Sequence, residues 1–109
     1  MSVDTRKEPL RCGSDLLGHV TVTGIDMFWL VGTFNPGQDY PTYRPLFEQL
    51  AELSARLDEA SDQQYVAASD AWLEALDRIN RLGLRLGEPG RVVRDFKIDG
   101  SRDVEFKER

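Results

Sequence analysis

The sequence has little of what metal and nucleophilic chemistry usually requires. Its 109 residues include one cysteine, Cys12, and one histidine, His19. A single cysteine makes no internal disulfide, and zinc sites take three or four Cys, His or carboxylate ligands. We therefore expect no metal and no cofactor. Cys12 and His19 lie on either side of a predicted turn, as a thiol and its base would, but we interpret them as a surface or edge-strand pair and assign no catalytic residue.

Loops that bind phosphate or calcium are also missing. Gly83, Gly87 and Gly90 follow a predicted helix instead of preceding one, so they match neither nucleotide-binding fingerprint. The segment from Asp95 resembles a calcium loop only superficially. With Asp95 at position one, Phe106 occupies position twelve, where a carboxylate is needed. We interpret this segment as a charged hairpin turn.

The sequence also lacks long apolar runs and an excess of positive charge. No segment approaches the roughly 20 apolar residues that span a bilayer, and residues 1–8 have no apolar signal core. The net charge of −5 argues against sequence-independent binding to nucleic acid or anionic lipid. We therefore expect a cytoplasmic protein with neither a nucleic-acid nor a membrane partner.

Charge is distributed unevenly along the chain. Between Leu46 and Asp77, eight acidic residues accompany one basic residue, Arg56, whereas residues 78–109 carry a net charge of +3. The acidic segment is either a solvated helix face or a surface complementary to a basic protein partner. Complementarity of that kind speeds association more than it tightens it.

The first third of the chain predicts three strands in an antiparallel meander. The chain length suits one domain over residues 1–109, and we expect residues 1–6 to be disordered. Residues 8–12 and 16–23 read as strands, the second rich in β-branched side chains. Gly24 would form a tight connection to a third strand at 25–34, which ends at the turn residues Asn35-Pro36-Gly37.

The middle of the chain has helical periodicity and predicts a helical hairpin over 43–60 and 62–82. Thr42 is the expected cap of the first helix, and Ser61 and Gln64 form the expected capping box of the second. Gly83 is the expected stop. Apolar residues recur at helical spacing in the first helix, at Leu46, Leu50, Leu53, Leu57 and Ala60. The second helix should place Tyr65, Trp72, Leu76 and Ile79 on its inner side.

The last third returns to strands at 84–86, 91–98 and 102–107. Asp99-Gly100 is a strong hairpin signal between the last two. The expected fold is therefore α+β, an antiparallel sheet of five to six strands in βββ-αα-βββ order. The two-helix hairpin should pack on one face of this sheet.

The third predicted strand differs from the others because it does not alternate apolar and polar side chains. One face would carry Ile25, Met27, Trp29 and Val31, and the other Phe28, Leu30 and Phe34. Two helices cover only one face, so the second face would remain as an interface. The residues of this candidate binding surface are Met27, Phe28, Trp29, Leu30, Val31 and Phe34.

Two functions are compatible with this surface. The first is a non-enzymatic protein-interaction module, either an inhibitor or immunity-like partner of a basic protein or a homodimer. The alternative is a small-molecule-binding domain or enzyme, with a pocket lined by Phe28 and Trp29 and a buried carboxylate such as Asp26. A pocket should contain perturbed ionisable groups, whereas a docking surface should not.

Four phrases of the chain resemble a pattern in small uncharacterised bacterial proteins of actinobacterial type. The group has a Trp-x-x-Gly-x-Phe strand end and a Pro-Leu-Phe helix start. It also often has a His before the Ile and a Trp in the last strand, where this chain has Lys97 and Val104. The resemblance implies a shape and no activity, cofactor or site. The matching phrases are Trp29–Phe34, Arg44–Phe47, Arg81–Leu86 and Phe96–Gly100.

Overall fold

The computed structural model describes residues 6–99 and 102–108 of the chain. They form strands and helices in the order βββ-αα-βββ, which confirms the predicted α+β arrangement. The expected disorder of residues 1–6 lies outside the described residues, except at Arg6, which begins a strand. The elements are β1 (Arg6–Cys12), β2 (Asp15–Asp26), β3 (Trp29–Pro36), α1 (Tyr40–Glu59), α2 (Asp62–Asn80), β4 (Arg85–Leu86), β5 (Arg91–Ile98) and β6 (Asp103–Glu108).

The six strands in this part of the chain pair antiparallel and close into a barrel, in the order β1-β2-β3-β6-β5-β4. We predicted a sheet with one face under the helices. The structure corrects this prediction, because the sheet closes on itself. Closure depends on the two-residue strand β4, where Leu86 pairs with Leu10 of β1 and with Arg91 of β5. Leu86 is fully buried. Packing in the core therefore adds to the few hydrogen bonds that hold this short strand.

The predicted third strand is in fact interrupted by a turn. β2 continues through Asp26, β3 begins at Trp29, and Met27 and Phe28 form the two-residue turn between them. Met27 has a φ of 56°, in the left-handed region that tight hairpins use. Gly24 does not form the predicted connection. It lies within β2, where the register with β3 shifts, as at a β-bulge.

The helices and the strands share one core. α1 packs against β2 and β5, and α2 packs against β5. A row of aromatic rings runs through this core, with centroid separations of 5.0, 6.1, 6.0 and 5.3 Å between successive rings. The row consists of Phe34, Tyr40, Phe47, Phe96 and Phe106.

The inner sides of both helices were predicted in part. Leu50, Leu76 and Ile79 are buried as expected, and Phe47 is buried as well. Trp72 is only partly buried. Tyr65 is 52% exposed, so its assignment to the inner side was wrong. It lies in the first turn of α2, far along the helix from the residues that reach the core.

The predicted helix ends are close to the observed ones, but their caps differ. α1 begins at Tyr40 with Asp39 as N-cap and a proline in its first turn, so Thr42 is not the cap. Ser61 is the N-cap of α2, but its side chain makes no capping hydrogen bond. The α2 helix ends at Asn80, and Gly83 follows with a φ of 66°, as a helix stop requires.

Candidate interaction surface

The β2–β3 hairpin continues past the last residues that pair with it from its two flanking strands. On one side, the pairing of β1 with β2 reaches Val22. On the other side, the pairing of β6 with β3 begins at Leu30. In the described part of the chain, residues 23–29 therefore pair only with residues of the same hairpin. We call Ile25, Asp26, Met27 and Phe28 the hairpin tip.

The hairpin tip exposes three large apolar side chains to solvent. Ile25 is 72% exposed, and Met27 and Phe28 are each 83% exposed. Single exposed apolar residues are ordinary on protein surfaces. Three within four consecutive residues, on a projecting turn, form a cluster of the kind that marks interaction sites.

The other residues of the predicted surface are less accessible. Trp29, Leu30 and Val31 are partly buried. Phe34 is only 2% exposed and contacts Tyr40 in the core, so it is unavailable to a partner. The prediction placed Phe28 and Phe34 on the same face of one strand. The turn at Met27 and Phe28 separates them and leaves Phe28 exposed.

Two lysines lie over Trp29 at the base of the hairpin tip. The Nζ atoms of Lys97 and Lys107 are 4.2 and 4.5 Å from the centroid of its ring. Both distances are in the range of cation–π contacts. Lys107 comes from β6, which pairs with β3, and Lys97 comes from β5, the next strand, so the two lysines hold the base of the hairpin against its neighbouring strands.

A cavity of about 470 Å³ lies next to this cluster. Lys97 Nζ is also 5.1 Å from the centroid of the Trp72 ring, which forms one wall. The Trp72 indole donates a hydrogen bond to Ser54 Oγ at 2.7 Å, which fixes the position of that wall. We call this space the Trp72 cavity. It is lined by Leu50, Ala51, Ser54, Leu57, Asp58, Trp72, Lys97, Ile98, Asp99, Asp103 and Glu105.

A second cavity, of about 510 Å³, adjoins the first and shares Ala51, Ile98 and Asp99 with it. Its polar lining includes Tyr40 and Arg44. Burial raises the pKa of Tyr40, and the nearby carboxylate of Glu48 raises it further, while neighbouring arginines oppose both effects. Phe28 and Trp29 line neither of these two cavities.

The structure does not bring Cys12 and His19 together. His19 is opposite Pro9, three residues from Cys12, which corresponds to roughly 10 Å along a strand. The Cys12 thiol donates a hydrogen bond to the carbonyl oxygen of Leu82 at 3.3 Å. These contacts match a structural thiol at the end of β1, away from His19.

A tyrosine of α1 is bonded to the β1–β2 turn. The Tyr43 hydroxyl donates a hydrogen bond to Asp15 Oδ2 at 2.5 Å. This bond, with a smaller contribution from Cys12, raises the pKa of Tyr43 above its ordinary value. Sequence reasoning gave no signal for the contact, because the residues are 28 positions apart.

The acidic character of the helical hairpin is smaller than the sequence window indicated. Residues 40–81, which span both helices, contain eight acidic and four basic residues, a net charge of −4. Four of the eight carboxylates form i,i+4 ion pairs with arginines. The pairs Glu74–Arg78 and Asp77–Arg81 are among them, at 2.8 and 2.9 Å.

Neither a metal cluster nor a membrane span is found in the described part of the chain. No group of three or more His, Cys, Asp or Glu side chains there is placed to hold a metal ion. None of its helices is long and apolar enough to cross a membrane.

Comparison with known proteins gave no matching family model, no matching curated protein and no matching solved structure. The resemblance to small actinobacterial-type proteins therefore stays a prediction.

Proposed function

We propose that this chain is a non-enzymatic protein-interaction module whose binding element is the hairpin tip. The observation that carries the proposal is the exposure of Ile25, Met27 and Phe28 at the turn of the β2–β3 hairpin, past the last residues that pair with it from the flanking strands. A projecting apolar turn suits insertion into a concave site on another protein. Inhibitor-like and homodimeric roles both fit this geometry.

The free energy available at the tip limits the kind of contact it can make. Burying a large apolar side chain contributes about 1.5–3 kcal/mol, so the three side chains offer about 4–7 kcal/mol at their present exposure. Association itself costs an estimated 4–15 kcal/mol in lost freedom of motion. Stable binding therefore requires a partner that encloses the tip and contacts the surrounding surface as well.

The expected basic partner has weaker support than the tip. The ion pairs on the helices, including Arg56–Glu52 at 2.6 Å, already satisfy half of the acidic side chains there. The remaining negative charge would steer a basic protein toward the chain and would contribute little to affinity. We therefore assign the helices a secondary role.

The alternative of a ligand pocket around Phe28 and Trp29 has little support. Phe28 protrudes into solvent, and the Asp26 carboxylate that such a pocket needs is exposed beside it. The enclosed space in this region is the Trp72 cavity, which Lys97 separates from Trp29. Ligand binding would have to use that cavity, without the residues first proposed.

Photo-crosslinking in the native host tests the proposal. Benzoylphenylalanine replaces Phe28 in one variant and Val66 in a matched control, since Val66 is 68% exposed on α2. We expect a discrete adduct from position 28 and none from position 66. The adduct should disappear when Ile25→Ser and Met27→Ser are added, because it depends on the tip. Absence of an adduct at position 28, or its persistence in the serine variants, would contradict the proposal.

Vesicle binding provides a second test, because an apolar turn backed by lysines also suits a bilayer surface. Asp26 lies within the tip and the chain has a net charge of −5, so a protein partner is favoured. We expect no co-sedimentation with vesicles of phosphatidylcholine and phosphatidylglycerol. Binding that is lost on Phe28→Ser would assign the tip to membranes instead.

A further inference from the structure

We propose that the partner is a second copy of this chain, and that each hairpin tip inserts into the Trp72 cavity of the other copy. This inference rests on the proposed function, because it uses the same tip. It also assigns a role to the Trp72 cavity.

The Trp72 cavity lies beside the hairpin tip. One lysine, Lys97, contacts both the Trp29 ring at the base of the tip and the Trp72 ring in the cavity wall. The protrusion and the cavity are therefore neighbours. A two-fold axis that passes between the tip and the cavity places the tip of each copy opposite the cavity of the other copy. Closed dimers are built from such reciprocal contacts.

The Trp72 cavity has the size to accept side chains of the hairpin tip. A space of about 470 Å³ is in the range of cavities that enclose a drug-sized molecule, and it can accept the side chains of Met27 and Phe28. Its accessible apolar walls are the Trp72 ring and the side chain of Leu57, which are both partly buried. Aromatic rings pack favourably on one another, and a methionine sulfur packs favourably against a ring.

A stable dimer has to bury more surface than the hairpin tips alone provide. Stable protein interfaces bury about 1,200–2,000 Å² in total, and two tips packed against each other would cover little beyond three side chains each. Reciprocal insertion buries two tips and two cavity walls. Insertion therefore covers more surface than contact between the tips alone.

Charge opposes this contact. Asp26 of an inserted tip would approach a cavity lining that contains one cation, Lys97. Four carboxylates also line it: Asp58, Asp99, Asp103 and Glu105. Each copy also has a net charge of −5, so the copies repel each other at long range. Added salt screens that repulsion. Association should therefore be unchanged or strengthened between 50 and about 500 mM NaCl.

Sedimentation velocity over a concentration series tests the inference. Phe28→Ser removes the centre of the tip, and Ala51→Gln places a polar side chain in the cavity. Each variant should weaken self-association about tenfold or more, as loss of a central contact does. Val66→Ser is the matched control, because its exposed side chain belongs to neither surface. It should leave association unchanged.

Mixing the two weakened variants distinguishes reciprocal insertion from other dimers. A mixed dimer keeps one intact pair, with the tip of the Ala51→Gln chain in the cavity of the Phe28→Ser chain. The mixture should therefore associate more strongly than either variant alone. Dimers that contact each other only through their tips would show no such recovery, and this result would overturn the inference.

A monomeric wild-type chain would also overturn the inference. The cross-linking experiment then shows whether the proposed function still holds. An adduct of a different protein at position 28 would retain the proposed function with another partner. Circular dichroism confirms that each variant is folded. Met27→Ser substitutes for Phe28→Ser if the latter is not, since Met27 is equally exposed.

Discussion

Two phenylalanines in the same hairpin should respond in opposite ways to truncation. Phe28 and Phe34 are six positions apart, and strand alternation alone would place them on the same face. In the structure Phe28 is 83% exposed at the turn and Phe34 is 2% exposed in the core. Phe34→Ala and Phe28→Ala therefore test the position of the turn directly, with the same chemical change.

The expected magnitudes follow from these environments. Phe34 packs edge-on against Tyr40 at 5.0 Å between centroids, so its truncation leaves a cavity in the core. Phe→Ala changes in cores cost about 3–5 kcal/mol. This is a large share of the free energy of unfolding of a typical domain, which is about 5–15 kcal/mol. Exposed substitutions usually change stability by less than about 0.5 kcal/mol. Phe28→Ala should therefore be nearly neutral.

Urea denaturation followed by circular dichroism measures both variants. Phe34→Ala should shift the midpoint far toward lower urea, or leave the chain largely unfolded, while Phe28→Ala overlays the wild type. Measurement at low protein concentration keeps self-association from contributing to the comparison. Similar losses in the two variants would refute the reasoning, because Phe28 would then be buried and the tip would not exist.

Substitutions at three further sites, Gly32, Trp72 and Tyr43, have defined outcomes. A Cβ atom at Gly32 would lie 2.1 Å from a backbone carbonyl oxygen of β2, whereas one at Gly24 would make an ordinary 3.8 Å contact. Because the first contact is a clash with the backbone, Gly32→Ala should lower the thermal midpoint well below that of Gly24→Ala. Trp72→Phe keeps most of the ring but loses the bond to Ser54, so it should cost about 0.5–1.5 kcal/mol in urea denaturation. Full truncation of Trp72 to Ala should cost less than the roughly 3–5 kcal/mol expected for a buried tryptophan, because it is only partly buried. The raised pKa of Tyr43 means that its stabilising contribution is present below pH 10 and is lost as pH rises further. Tyr43→Phe should therefore flatten the alkaline dependence of stability, and an unchanged dependence would contradict the contact.

The sequence was sufficient for the order of elements and for most of their bounds. Helical spacing from Leu46 onward and the stop at Gly83 depend on local chemistry, which is why they could be predicted. The start of α1 was missed by a few residues because Thr42 was preferred to Asp39 as cap, although Pro41 in the first turn was an available signal.

Closure of the barrel could not be predicted in this way. It depends on Arg85 and Leu86, and two residues are too few to show an alternating pattern. The turn at Met27 and Phe28 was missed for a different reason. Neither residue favours a tight turn, and both are apolar, so periodicity assigned them to a strand.

The candidate site was located only in part from sequence. The apolar pattern singled out the segment that contains Met27 and Phe28, and the structure shows that these two side chains are exposed whereas Phe34 is buried. The neighbouring Trp72 cavity was not foreseen. Trp29, Trp72 and Lys97 come from three different elements, and their proximity is a tertiary contact with no local signal.

Cross-linking from the hairpin tip is the most direct test of the central claim, which is that this turn binds another protein chain. With benzoylphenylalanine at position 28, the account predicts one discrete adduct whose mass is twice 12.4 kDa for a second copy of the chain. Position 66 should yield no adduct. Equal labelling from both positions, or none from position 28, would contradict the claim.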